Sequence, residues 1–150
     1  MIKYEKETIT NLLSEIKGAH KLLSELKAKD IADLKADQHL VSSAKYNFIV
    51  SIEAAIDICN HLISKNGFRV PDDYSDSFRI LAEESLLSQD FVEERLVKMA
   101  RFRNRLVHQY WKIDLETLYE ILQNNLVDLE QFINEIKEHL SSESKRETDV

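Results

Sequence analysis

The sequence predicts an all-α fold, an up-and-down helical bundle of four to five helices, on three observations. Its 150 residues hold two glycines and one proline, too little turn chemistry for a sheet protein. Apolar residues recur at three- and four-residue spacing through long stretches. Cap and stop signals fall between those stretches. A single domain is expected over 1–140, long enough to bury a core without disulfides or a structural metal.

The first helix is expected over 5–28. Ile9, Leu12, Leu13, Ile16, Leu22, Leu23 and Leu26 form one face, with Lys and Glu on the other. The charged stretch KAKDIADLKADQ (27–38) is less periodic and reads as a connector with a helical turn. A second long helix runs from about Gln38 to Lys65 on Leu40, Val41, Ala44, Phe48, Ile52, Ala55, Ile56, Cys59, Leu62 and Ile63. Asn66-Gly67 supplies its left-handed stop. FRVPDDYSDS (68–77) reads as the longest loop, marked by Pro71 and its Asp/Ser cluster. A short helix follows over 77–87, carrying Phe78, Leu81, Ala82 and Leu86. SQD (88–90) breaks the chain and caps a helix from about Phe91 to His108 or slightly beyond. Asp114 caps the last helix, expected as one piece over 115–140 on Leu118, Ile121, Leu122, Leu126, Leu129, Phe132, Ile133 and Ile136. SSESKRETDV (141–150) lacks apolar periodicity and reads as a disordered polar tail.

Composition narrows the setting. Cys59 stands alone, so no internal disulfide forms; its apolar neighbours make it a buried small hydrophobe, in keeping with a reducing cytoplasm. No run approaches the roughly 20 apolar residues of a membrane span, and the first residues lack the apolar segment of a signal peptide. A cytoplasmic protein with no membrane partner is expected.

The charge distribution is uneven. The chain carries −7 overall, from 20 basic and 27 acidic residues. Between Arg95 and Ile113 stand Arg95, Lys98, Arg101, Arg103, Arg105 and Lys112, with His108 and not one carboxylate. On a helical wheel Lys98, Arg101, Arg105, His108 and Lys112 form one continuous stripe. Met99, Phe102, Leu106 and Tyr110 form a second, apolar stripe that should face the core, with Arg103 at its edge. Such a cationic stripe fits a polyanion, because guanidinium groups match phosphate bidentately and the acidic remainder repels nucleic acid elsewhere.

Arginine plus histidine, with no metal-ligand cluster and no cofactor motif, is equipment for metal-independent RNA cleavage. The RNA's own 2′-hydroxyl attacks the adjacent phosphate, His moves a proton, and Arg stabilises charge on the phosphoryl oxygens. The same stripe also fits a solvated face or a partner surface. His20, His39, His61 and His139 read as structural or surface residues. Glu53 and Asp57, one turn apart, read either as partners of Arg103 or as exposed charges.

Arg103-Asn104, three residues, His108, one residue and Tyr110 match the Arg–polar–(x)n–His motif of HEPN domains (higher eukaryotes and prokaryotes nucleotide-binding). More narrowly the chain resembles the HepT-like toxin branch, of form R-x-x-x-x-H-x-Y. NGFRVPDDYSDSFRILAE, MARFRNRLVHQYWKID and LYEILQNNLVDLEQFI are similar to that branch in order and spacing, over residues 40–136. The resemblance implies a dimer in which motif helices meet at a shared RNase cleft. It implies Arg103 and His108 as the catalytic pair and Asn104 as the polar residue orienting them. It further implies Tyr110 as the acceptor of AMP from a minimal nucleotidyltransferase antitoxin, which silences the toxin.

The wheel bears on that implication. Arg103 and Tyr110, seven apart, share nearly one line of an ideal helix, whereas Arg103 and His108 point roughly 140° apart. Either the helix loosens near His108, or a two-fold axis brings in a second copy; a shared dimer cleft resolves the mismatch. The leading expectation is an endoribonuclease toxin binding RNA phosphates through Lys98, Arg101, Arg105 and Lys112. The alternative is a non-catalytic module that binds nucleotide or the nucleotidyltransferase.

Overall fold

Helices α1 (Lys6–Lys27) and α3 (Gln38–Asn66) run antiparallel and form the long axis of the molecule. In this computed structural model the backbone is described for residues 1–148 and side-chain surroundings for residues 1–140. The start of the chain is stitched to the end of α3. Lys3 and Asn66 exchange hydrogen bonds of 2.8 and 2.9 Å, the Glu5 amide donates to His61 Nε2, and Lys65 pairs with Glu5 at 2.7 Å. Gly67 ends α3 at φ 64°, a left-handed conformation that costs a residue with a Cβ about 1 kcal/mol or more. The connector between the two long helices is α2 (Ile31–Ala36), which plugs Leu34 into the core.

The remaining helices pack on this pair. They are α4 (Tyr74–Glu83), α5 (Gln89–Phe91), a π-helical turn (Val92–Leu96), α6 (Val97–His108), α7 (Leu115–Asn124) and α8 (Leu126–Thr148), with a 3₁₀ turn at Tyr110–Lys112. The core interleaves their apolar faces: Phe78 of α4 meets Phe132 of α8 edge-on, and Phe48 of α3 meets Phe102 of α6 at 5.4 Å. Cys59 is fully buried among them. No strand occurs among the described residues, and no helix there is long and apolar enough to cross a membrane.

Three elements depart from the sequence expectation. Helix α4 begins at Tyr74 rather than 77, because the Asp73 side chain accepts the Asp76 amide at 2.8 Å and caps the helix early. It also ends early, at Glu83, and the chain turns through Ser85 at φ 61°. The single helix expected over 115–140 is two, α7 and α8, divided at Asn125. Arg95 holds that break: its Nε donates to Asp128 at 2.8 Å and its Nη2 to the Asn124 carbonyl. Asp128 is almost wholly buried, so this cation of the basic run is spent on structure. The tail expected over 141–150 lies outside the residues whose side chains are described; α8 carries the described backbone to Thr148.

The loop at 68–73 is tied down electrostatically. Arg69 donates two hydrogen bonds to Asp76 and two to Glu83, tying the loop to one face of α4. The Arg69 hydrogen bonds outweigh the cost of burial and hold the Asp76 carboxyl down to about 2. A depressed carboxyl contributes stability that is present above its unfolded value of about 4 and lost as pH falls through the folded value. Asp76→Asn is therefore expected to melt below wild type at pH 7. The gap should close between pH about 4 and about 2 in thermal melts, and a constant gap would remove Asp76 as its source.

Candidate functional site

Helix α6 is placed by its apolar face. Met99, Phe102 and Leu106 are buried against the core, which leaves its two flanks facing different surroundings. On one flank Arg103 is half-buried. Its Nε and Nη2 both donate to Oε1 of Glu53 on α3, at 3.2 and 2.7 Å, and its Nη1 donates to Asn104 Oδ1 at 3.1 Å. The guanidinium carbon also lies 4.7 Å from the centre of the Tyr74 ring. Three of the five N–H donors of a guanidinium are thus engaged, and two remain for a ligand.

Two hollows meet at Tyr74. A cavity of about 180 Å³ is lined by Glu53, Ile56, Asp57, Tyr74 and Arg103. A wider cleft of about 530 Å³ is lined by Tyr74, Asn104 and His108, with Asn60, Ser77 and the 71–73 loop opposite. Arg103, Asn104 and His108 therefore border adjoining spaces that share one aromatic wall. Of the two carboxylates one turn apart on α3, Glu53 makes the ion pair with Arg103. Asp57 lines the cavity and pairs with no cation among the described residues; partial burial, then the charges of Glu53 and Glu15, raise its carboxyl above the usual range.

The basic stripe divides. Lys98, Arg101 and Arg105 are exposed and rim a groove of about 300 Å³ with a floor of Phe48, Ile52, Phe102 and Leu129. His108 lines the other cleft, although it is exposed like them. Lys112 is off the helix altogether, because α6 ends at His108 and Gln109 turns away at φ −136°, ψ 41°. Tyr110 is also off the helix. The expectation that it faces the core in line with Met99, Phe102 and Leu106 is overturned: it is 37% exposed, in the 3₁₀ turn. The seven-residue alignment of Arg103 with Tyr110 assumed a helix that the backbone has already left.

A residue that the pattern hid lies behind the turn at Tyr110, outside the hollows. Lys45 on α3 is only 7% exposed. Its Nζ donates to the Tyr110 carbonyl at 3.0 Å and sits 4.3 Å from the centre of the Tyr110 ring. Burial alone pushes its ammonium below the ordinary lysine range. The signal available in sequence was a lysine beside Ala44 on the face carrying Val41, Phe48 and Ile52. Tyr74 was hidden by its place in an expected loop. The other four histidines lie elsewhere; His20, for example, reaches Glu130 of α8 at 3.2 Å.

Fold and site together define an all-helical domain that sets an arginine on one hollow and an amide and a histidine on the adjoining one, with Tyr74 as their common wall. The chain belongs to the ribonuclease HepT-like family, whose model matches residues 13–136. It is 34% identical over 131 residues to the mRNA nuclease HepT of Shewanella oneidensis, covering 87% of this chain and 97% of that one. Its structure is similar to a tri-AMPylated Shewanella oneidensis HEPN toxin in complex with MNT antitoxin, at 33% identity and a TM-score of 0.80, over 89% of this chain and 98% of that chain. A toxin–antitoxin complex with AMP-PNP is similar at 32% identity and a TM-score of 0.80, over 88% and 98% of the two chains.

The Arg103–Glu53 pair yields a direct test. Glu53→Gln keeps the shape but removes the charge facing a half-buried cation, and should lower unfolding free energy by about 1–2 kcal/mol in urea titrations. A variant as stable as wild type would show that Glu53 does not anchor Arg103.

Proposed function

We propose that this chain is an endoribonuclease toxin that works as a homodimer in the cytoplasm, needs no metal ion, and is silenced when a nucleotidyltransferase antitoxin attaches AMP to Tyr110. The observation that carries the reading is the adjoining pair of hollows. Arg103, oriented by Glu53 and Asn104, borders one; His108 borders the other; Tyr74 walls both. The named activity of the Shewanella relative, an mRNA nuclease, agrees with it.

The chemistry is phosphoryl transfer within the RNA. The 2′-oxygen forms a bond to phosphorus, the bond from phosphorus to the 5′-oxygen breaks, and a 2′,3′-cyclic phosphate and a 5′-hydroxyl result. His108 moves a proton in that exchange, and the two remaining N–H donors of Arg103 meet the charge that grows on the phosphoryl oxygens. Lys98, Arg101, Arg105 and Lys112 supply cationic surface for the flanking phosphates. DNA, lacking the 2′-hydroxyl, is spared.

Two observations support a shared site. Exposed apolar side chains stand where α6 ends: Val107, Tyr110 and Trp111, the last 76% exposed. His108 is exposed beside them, so a second copy seated there buries apolar surface and encloses the histidine.

His108→Ala is expected to lower RNA cleavage by about 100-fold or more while circular dichroism and oligomeric state stay unchanged. Undiminished cleavage by the purified variant would favour the non-catalytic module instead. On incubation with the cognate nucleotidyltransferase and ATP, mass spectrometry should find AMP on a peptide containing Tyr110, with RNA cleavage lost in proportion. AMP confined to other tyrosines would defeat the assignment of Tyr110.

A further inference from the structure

Lys45 is an oddity that RNA cleavage does not explain. It is a lysine buried in the bundle, and none of the ion pairs among the described residues includes it. Loss of solvent lowers its ammonium below the ordinary lysine range. Its compensation is a single carbonyl and the face of a ring, both belonging to Tyr110. Three N–H donors point from that ammonium and one is spent on the carbonyl, so the group retains capacity for an anion. A buried cation without a counter-charge is costly, and a methionine of similar length would fill the same space more cheaply.

We propose that Lys45 is the positioning residue of the modification site: it holds Tyr110 in place and receives the phosphoryl charge that AMP brings. The inference rests on Tyr110 being the AMP acceptor. In the transfer the Tyr110 phenolic oxygen attacks the α-phosphorus of ATP. The new oxygen–phosphorus bond forms, the bond between the α-phosphorus and the bridging oxygen to the β-phosphate breaks, pyrophosphate leaves, and the phenolic proton passes to solvent or to a base of the nucleotidyltransferase. Negative charge gathers on the α-phosphoryl oxygens during attack and stays as the phosphodiester. Rotation about the phenolic C–O bond turns that phosphodiester toward the side of the ring on which the Lys45 ammonium lies, 4.3 Å from the ring centre. In that low-dielectric setting the ammonium binds an anion more strongly than a surface lysine does. The hydrogen bond to the Tyr110 carbonyl fixes the 3₁₀ turn before the transferase arrives, so the acceptor is presented in one orientation.

The arrangement also explains why Tyr110 leaves the helix. On a continued α6 it would be one more core-facing side chain; in the turn the residue is 37% exposed while Lys45 still holds one face of its ring.

The test compares wild type, Lys45→Met and Lys45→Arg, each incubated with the cognate nucleotidyltransferase and ATP and followed by intact-mass and peptide spectrometry. Lys45→Met should take AMP on Tyr110 roughly tenfold or more slowly, through the maximal rate rather than through the ATP concentration at half-rate. Its melting temperature should equal or exceed that of wild type, its RNA cleavage before modification should match wild type, and Lys45→Arg should restore most of the transfer rate. Wild-type transfer rates in Lys45→Met overturn the inference and leave Tyr110 as acceptor. A slow Lys45→Met that also melts early and is not rescued by arginine overturns it too, by assigning Lys45 a structural role. Absence of AMP from Tyr110 in wild type overturns the acceptor reading, and the role of Lys45 falls with it.

Discussion

The Arg103–Glu53 ion pair is the constraint on which the site depends. Arginine has a long side chain with several rotatable bonds, and at the edge of an apolar helix face it would ordinarily reach for solvent. Two donors converging on one Glu53 oxygen, with Asn104 closing the third direction and the Tyr74 ring lying against the guanidinium, remove that freedom. The ordering cost is thereby met in the free protein rather than when substrate binds. The pair also joins α3 to α6, a polar tie on a helix that buried Met99, Phe102 and Leu106 already orient.

The end of α6 is the second determinant. The amide of Gln109 still bonds to the Arg105 carbonyl at 2.7 Å, but its dihedrals leave the helix, and His108 becomes the last helical residue. An ideal helix separates Arg103 and His108 by roughly 140°. Here they border adjoining hollows with Tyr74 between them, and Tyr110 is carried away to α3. Terminating the helix thus does three things at once. It frees the histidine from a neighbour above it, sends the tyrosine to a separate anchor, and exposes Trp111 beside both.

The cations of the 95–113 run do different work despite one shared composition. Arg95 pairs with buried Asp128 and holds the break between α7 and α8. Arg103 is held by Glu53, whereas Lys98, Arg101 and Arg105 rim a groove on the other flank. A net-charge argument sees six positive residues. Among the described residues Arg95 and Arg103 are the two that pair inside the fold, which leaves the outward cations as the part that a polyanion meets.

The sequence by itself determined the helical class, the extents of α1 and α3, the glycine stop at Gly67, the Asp114 cap and the cation-rich, carboxylate-free run. Each of those is written in local periodicity or in the chemistry of a few neighbouring residues. Tertiary structure alone decided that α7 and α8 separate at Asn125, and that Glu53 rather than Asp57 meets Arg103. It also decided that Tyr110 leaves the core face and that Lys45 lies buried beneath it. These outcomes depend on side chains some thirty to seventy positions apart, as Arg95 is from Asp128 and Lys45 from Tyr110. Periodicity reports which face of a helix is buried; which distant group it is buried against is settled only when the faces pack.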